Sequence, residues 1–213
     1  MGFINGGIDY FLRGRVGNHV GRKVDGNNVL AMRPAESTKA PTQAQLDQRF
    51  KFGLMTSWLR RLASVIDVGF KDNNKGLTPR NAAVSYNLAN AITGASPNFT
   101  ISYTDVLYSK GKLDLPGTPA IAVTAAAKLD YSWLAVTGDT NAMPTDKMTF
   151  VVYNPSKDKF VTMKGAILRS ALAHSLQLPP DWSGDTVEAY FSVVSANGKL
   201  VSDSYYVGSF LLL

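Results

Sequence analysis

Apolar and polar positions alternate along residues 10 to 33, and this alternation predicts a β-hairpin. Asp25-Gly26 lies in the middle of the segment and supplies the positive φ angles that a tight turn needs. The segment also contains three glycines, Gly14, Gly17 and Gly21. Three glycines are too many for a regular strand, so we expect a bulge there, or the close approach of another backbone.

From residue 41 the apolar spacing changes to three or four residues, which predicts helices. A capping-box pattern at Thr42 to Gln45 precedes an apolar series over 46–69, which predicts one amphipathic helix of roughly 25 residues. Thr78-Pro79 predicts the start of a second helix, because Thr is a good N-cap and Pro suits the first helical position. Gly94 is the predicted end of that helix.

Beyond residue 99 the apolar pattern has the period of β-strands. The alternation predicts a strand over 99–108, and Pro116, Gly117 and Pro119 predict a linker over 113–119. Seven further strands are predicted near 120–126, 129–136, 148–154, 159–163, 171–178, 186–195 and 200–207. Seven short strands with regular turn clusters between them are typical of a β-sandwich.

Two of these strands carry apolar side chains at every second position, which should face the interior of the sandwich. These residues are Leu129, Tyr131 and Trp133 in one strand and Val187, Ala189, Phe191 and Val193 in another. The passage from 178 to 198 resembles, in pattern, the later strands of fibronectin type III domains. We therefore predict an α+β chain. An N-terminal β-hairpin with two helices occupies 1–115, and an immunoglobulin/fibronectin-III-like β-sandwich occupies 116–213.

Charge is unevenly distributed along the 213 residues. Residues 1–80 contain 13 Lys and Arg against 6 Asp and Glu, whereas the rest of the chain is close to neutral. This asymmetry predicts an anionic partner for the N-terminal region, although a solubilising surface would give the same count. The basic residues proposed for nucleic-acid binding are Arg13, Arg15, Arg22, Lys23 and Arg33.

Catalytic motifs are absent from the sequence. There is no cysteine, which excludes thiol catalysis, disulfides and thiolate metal sites. The two histidines, His19 and His174, lie far apart and outside any metal-binding motif. Two pairs of aspartates in predicted loops, Asp139 with Asp146 and Asp181 with Asp185, are the remaining candidates for acid–base chemistry. We expect no enzyme, no cofactor and no metal site.

Other features favour self-association. The glycine-rich hairpin can extend a sheet between chains. The long helix carries more apolar surface than its short partner helix needs, and the apolar segment 205–213 must be buried in its own domain or against a neighbour. The residues proposed for self-association are Gly14, Gly17, Gly21, Trp58, Tyr206, Phe210, Leu211, Leu212 and Leu213. Besides nucleic-acid binding and self-association, a third hypothesis is a carbohydrate-binding module that uses Trp182 and neighbouring tyrosines.

Six motifs carry a resemblance to a known family. They are a hairpin of pattern G-x-V-G-N-x-V-G over 14–21, Met-Arg-Pro at 32–34, P-T-x-A-Q-x-x-x-R-x-K-F over 41–52, T-P-x-N-A-A-x-S-Y-N over 78–87, V-V-Y-N-P at 151–155 and W-x-G-D-T-V at 182–187. In this combination the chain resembles an uncharacterised family, a domain of unknown function found mainly in Bacteroidota. The resemblance implies no catalytic residues, because the family carries no assigned activity.

We therefore expect a non-enzymatic structural or assembly protein that forms homo-oligomers, as in a phage-like particle, a filament or a surface assembly. The alternatives are a nucleic-acid-associated protein, a carbohydrate-binding module and, last, an enzyme built on the loop aspartates. The first twenty residues lack the apolar run of a Sec signal peptide, and no segment has the length of a membrane span. We expect synthesis in the cytoplasm, followed by assembly into a particle or a released extracellular structure.

Overall fold

A computed structural model describes residues 2–3, 5–7, 10–24, 26–36, 39–72, 76–135 and 141–213. It combines α-helices with antiparallel sheets, so the prediction of an α+β protein is confirmed. Packing divides the chain into residues 1–42 and residues 43–213. The two units are called the N-terminal unit and the main unit, and each is described separately.

The N-terminal unit is a four-stranded antiparallel sheet with the order β1-β4-β3-β2. Its strands are β1 (Gly2–Phe3), β2 (Gly14–Val16), β3 (His19–Val24) and β4 (Asn27–Met32). The close approach predicted for the glycines is confirmed at Gly21, where a Cβ atom would lie 2.5 Å from the carbonyl oxygen of Leu12. Of the predicted turn, Gly26 has a φ of 83°, and Asp25 lies outside the described residues.

Two helices occupy the segment predicted as one, so that prediction is wrong. Helix α1 (Gln43–Arg60) ends before Leu62, and α2 (Ala63–Gly69) begins after it. The N–H of Leu62 donates to the carbonyl of Leu59, three residues back, at 2.9 Å, which tightens the last turn. Leu62 is itself completely buried. The chain therefore changes direction around a side chain that belongs to the core.

Helix α3 (Pro79–Asn90) begins as predicted, because the side chain of Thr78 accepts a hydrogen bond from the N–H of Asn81 and Pro79 is the first helical residue. It ends before Gly94, contrary to the prediction. Gly94 lies instead in β5 (Ile92–Ala95), which forms a hairpin with β6 (Asn98–Ile101). Its φ of 88° favours glycine in this strand as it would at a helix end.

The strand predicted over 99–108 is also shorter than expected. After Ile101 a turn begins, in which the N–H of Asp105 donates to the carbonyl of Ser102 at 3.2 Å. Val106 and Tyr108 are both buried although they belong to no strand. The apolar alternation here reflects loop residues that cover the core one at a time.

The seven further strands are present. They are β7 (Gly117–Ala122), β8 (Lys128–Leu134), β9 (Lys147–Asn154), β10 (Lys159–Leu168), β11 (Ala173–Gln177), β12 (Thr186–Val194) and β13 (Tyr205–Leu211). The last begins at Tyr205, later than predicted. They form two antiparallel sheets, one with the order β10-β9-β12-β13 and the other with the order β11-β8-β7.

One buried cluster draws side chains from both of these sheets. Tyr131 of β8 contacts Phe150 of β9, with ring centroids 4.6 Å apart. The alternating residues predicted to face inward are all buried: Leu129, Tyr131, Trp133, Val187, Ala189, Phe191 and Val193. The apolar periodicity therefore identified this core correctly.

A second buried cluster lies on the opposite face of β9 and β12, where the helices pack. It combines Val151 of β9 and Tyr190 of β12 with Met55, Leu62 and Ile66 of the helical segment. The sheet is thus covered on both faces, and the helical segment shares a core with the strands. The domain boundary expected between residues 115 and 116 stays a prediction. No helix among the described residues has the length and hydropathy of a membrane span.

Candidate functional site

The N-terminal unit buries very little apolar surface. Within its described residues, Val29 is the one large apolar side chain that is buried, at 1% exposure. Phe11, Met32, Phe3 and Val16 are 81%, 71%, 66% and 54% exposed. A sheet normally covers at least one face with its own core or with a partner. The unit therefore presents apolar side chains that its own residues leave uncovered.

Strand register places two of these side chains, Val16 and Met32, on one face of the sheet. Val16 of β2 lies opposite His19 of β3, which lies opposite Met32 of β4. These three residues form a row across neighbouring strands on one face of the sheet. Leu12 passes over Gly21 on this same face, and Phe11 precedes it. We call Val16 and Met32 the apolar patch; Phe11 belongs to no strand, so the register assigns it to neither face.

The five basic residues predicted to bind nucleic acid lie in this unit but do not form one surface. Arg15 lies opposite Val20 and Arg22 lies opposite Val29, and both pairs alternate with the row that contains the apolar patch. Arg15 and Arg22 therefore lie on the face opposite the apolar patch, whereas Lys23 lies on the patch face. The remaining two are Arg13 and Arg33. Arg13 donates to Asn28 Oδ1 at 2.5 Å, and Arg33 pairs with Glu36 at 3.2 Å.

The glycines of this segment serve the turns and crossings of the sheet. Gly17, with a φ of 56°, forms a two-residue hairpin turn with Asn18 between β2 and β3. Gly14 has a φ of 83° where β2 begins. The family resemblance implied a hairpin over 14–21, and β2 and β3 form it. Gly-Asn between two short alternating runs is a recognised signal for such a turn.

The apolar segment 205–213 is built into the main unit. Leu212 is 2% exposed, and its N–H and C=O exchange hydrogen bonds with Asp185 and Gly184 at 3.0 and 3.1 Å. Tyr206 donates to Glu188 Oε2 at 2.7 Å, and Phe210 packs against the core between the sheets. Leu211 and Leu213, in contrast, are 64% and 60% exposed.

Two aromatic residues singled out in the sequence are covered by their own chain. The ring of Trp58 contacts Phe160 and Tyr153, with centroids 4.9 and 5.5 Å away, and the residue is 4% exposed. It offers no surface to another copy. Trp182 is 1% exposed and belongs to the core between the sheets. Its ring therefore has no open face on which a sugar could stack.

The groups considered for catalysis are also engaged elsewhere. Asp185 forms an ion pair with Lys157 at 2.6 Å, and Asp181 lies 3.9 Å from the same ammonium. Asp146 is buried 3.4 Å from Arg169. Its expected partner, Asp139, lies outside the described residues. These carboxylates face cations rather than one another.

The histidines do not form a metal site in the described chain. His19 is exposed on β3, while His174 stacks on Phe150 with centroids 5.4 Å apart. Burial lowers the pKa of His174, because the charged imidazolium loses hydration there. No group of three or more His, Asp or Glu residues in the described ranges could hold a metal ion.

A polar cluster that the sequence did not reveal joins the segment between α1 and α2 to the turn after β9. Asp158, at a φ of 50°, accepts hydrogen bonds from Arg61 and from the hydroxyl of Tyr153, the latter at 2.9 Å. The hydrogen bond from Arg61 is the main cause that holds the pKa of Asp158 below its usual value. The two charges satisfy each other, so we assign the cluster a structural role.

The chain is an α+β protein, and its described residues include no group of side chains arranged for catalysis. The sequence matches the model of a family of unknown function, DUF6266, over residues 11–208. The chain belongs to this family, which confirms the resemblance to a family of unknown function. No curated protein matches the chain. An origin in Bacteroidota stays a prediction.

Proposed function

We propose that the protein is a non-enzymatic structural protein that self-associates through the apolar patch of its N-terminal sheet. In this proposal the two main sheets form an immunoglobulin/fibronectin-III-like sandwich that serves as the body of each copy. The observation that carries the proposal is the N-terminal unit, which buries Val29 but leaves Phe11, Val16 and Met32 more than half exposed.

The energetic argument is one of size. A unit of about forty residues needs a disulfide, a metal or a partner to be stable, and the sequence has no cysteine. Full burial of a Phe, Met or Val side chain contributes about 1.5–3 kcal/mol. Covering the apolar patch would therefore contribute several kcal/mol, which is comparable with the stability of a small domain.

A second copy is the partner that this surface fits best. The outer strands β1 and β2 are only two and three residues long, so a partner strand would gain few backbone hydrogen bonds at either edge. Contact through the face is therefore favoured over sheet extension. Cations lie on both faces, because Lys23 and the Arg13 guanidinium at Asn28 are on the patch face and Arg15 and Arg22 are on the other. Charge therefore does not decide between the faces, and the exposed apolar side chains favour the patch face.

The test is the mass of the intact chain in solution, measured by sedimentation velocity over a wide range of concentration. We expect species larger than the 23.0 kDa monomer. Replacing Val16 and Met32 by serine removes two apolar side chains, so association should require at least about a tenfold higher concentration.

The matched control is Phe52→Ser, which removes a 52% exposed aromatic side chain from α1 in the main unit. We expect this variant to associate like the unmodified chain. A monomer at every concentration would contradict the proposal. Equal weakening of association by the Val16 and Met32 double variant and by Phe52→Ser would contradict it as well.

Binding to nucleic acid is the second proposal, and the shared face of Arg15 and Arg22 supports it. Phosphate contacts release counterions, so retention on nucleic acid should fall steeply with salt. Replacing both arginines by glutamine should flatten that dependence, and an unchanged dependence would exclude this site. Assembly into a particle, a filament or a released structure after synthesis in the cytoplasm is part of the first proposal.

A further inference from the structure

A slot of about 250 Å³ lies between α2 and the sheet that the helices cover. Val65 and Val68 of α2 form one wall, and Thr149, Ser192 and Val194 of the sheet form the other. The helical layer covers most of this sheet face but leaves the end near residues 147 and 194 open. The slot is smaller than a typical drug-sized site, so it suits a small molecule.

Two lysines, Lys147 of β9 and Lys164 of β10, also line the slot. The ammonium group of neither lysine makes a hydrogen bond or an ion pair with any part of the chain that the structure describes. Asp67 lies within electrostatic range of Lys164, but its carboxylate already accepts two hydrogen bonds from Arg80, at 2.8 and 2.6 Å. The slot therefore carries positive charge that no nearby carboxylate neutralises directly.

The bulge in β10 helps to hold the two lysines at one place. The pairing of β10 with β9 shifts between Lys164 and Ile167, and Gly165 in the bulge has a φ of 59°. A Cβ atom at Gly165 would lie 3.6 Å from Cδ of Lys147. The stem of Lys147 thus packs along the bulge, directly beside the backbone that carries Lys164.

We propose that this slot binds a small apolar carboxylate. The carboxylate head would pair with the ammonium groups of Lys147 and Lys164, and the hydrocarbon tail would lie against Val65, Val68 and Val194. The cavity suits a molecule of about ten non-hydrogen atoms. This site lies in the main unit and does not rest on the proposed self-association.

Lysines on an outer strand can also serve simply to keep other chains from pairing with it. Lys159, at the other end of β10, does not line the slot and provides the comparison. If Lys164 only protects the edge, it should behave like Lys159 toward ligands, and Lys147 lies on the inner strand β9, which has no edge to protect. If the slot is a site, Lys147 and Lys164 should matter and Lys159 should not.

The experiment is isothermal titration of the intact chain with octanoate, at concentrations below those at which octanoate forms micelles. Octanol is the probe with the same tail and no charge. We expect octanoate to bind saturably to one site and octanol to bind at least about tenfold more weakly, because it lacks the charge-assisted contacts.

The variant that carries both Lys147→Gln and Lys164→Gln should bind octanoate at least about tenfold more weakly, while Lys159→Gln should bind like the unmodified chain. Absence of octanoate binding to the unmodified chain would overturn the proposal. Equal binding of octanol, or equal binding by the double variant, would overturn it as well.

Ser64→Trp provides a second test that keeps both lysines. Ser64 is an exposed lining residue of α2, and an indole there should fill the slot. We expect this variant to retain its circular dichroism spectrum and to lose octanoate binding. Unchanged binding would show that octanoate does not occupy the slot.

Discussion

Asp130 shows how a single carboxylate connects three adjacent segments of the smaller sheet. It accepts hydrogen bonds from Thr124, which follows β7, and from Ser175 of β11, and it pairs with Lys128 at 3.1 Å. These bonds, led by that from Ser175, lower the pKa of Asp130 from 3.8 to about 2. The ionised form is therefore the one that stabilises the fold.

The sign of the pH dependence follows from this lowered pKa. The stabilisation should be complete above 3.8 and should disappear as the pH falls through about 2. We expect Asp130→Asn to lower the Tm at neutral pH, and the difference from the unmodified chain to narrow across that window. Calorimetry at several pH values measures this difference.

Glu36→Gln is the control, because the side chain of Glu36 is 90% exposed and makes one surface ion pair with Arg33. It should leave the Tm nearly unchanged at every pH. A Tm difference for Asp130→Asn that is as large at pH 2 as at neutral pH would contradict the assignment of its effect to the carboxylate.

Local sequence signals predicted some residue roles and missed others. Thr78 could be identified as an N-cap because that role depends on the next three residues. The hydrogen bond of Asp158 with Arg61 could not be predicted, since Arg61 lies far away along the chain. The same limit applies to Trp58, whose exposure depends on Tyr153 and Phe160 in distant strands.

At the scale of elements, replacement by alanine should have opposite effects on stability at Gly53 of α1 and Gly69 of α2. Gly53 lies within α1 and has no atom within 4 Å of the position that a Cβ would take. Gly53→Ala should stabilise the protein by about 0.5–1 kcal/mol, because alanine loses less backbone entropy in a helix.

Gly69 is the last residue of α2, and it packs against the loop that follows β6. A Cβ there would lie 2.6 Å from the carbonyl oxygen of Tyr108 and 2.7 Å from Cα of Ser109. Both are backbone atoms, so Gly69→Ala should destabilise the fold by about 1–3 kcal/mol. Urea denaturation of both variants measures the free energy of unfolding, and a Gly69→Ala protein as stable as Gly53→Ala would show that this packing is wrong.

Element type was easier to predict than element ends. β8 alternates between buried and less buried residues because successive side chains point to opposite faces of its sheet. β9 and β12 are buried at almost every position, because both faces of their sheet are covered. The break between α1 and α2 has no proline or glycine at Leu62, so nothing local announced it. Tertiary packing of Leu62 decides where the helix turns.

On the scale of the whole molecule, the two units differ sharply in how they bury apolar residues. The main unit has two buried clusters that share the sheet of β9 and β12. The N-terminal unit has Val29 as its one large buried apolar residue within the described ranges. The count of basic residues drew attention to the N-terminal region, but strand register shows that its cations lie on different faces.

The central claim is that another copy of the chain covers the apolar patch of the N-terminal sheet. Hydrogen exchange of the intact chain at two concentrations about a hundredfold apart tests it most directly, since exchange reports local protection. We predict slower exchange in β3 and β4 at the higher concentration and unchanged exchange in β9. Equal exchange of β3 and β4 at both concentrations would contradict the claim.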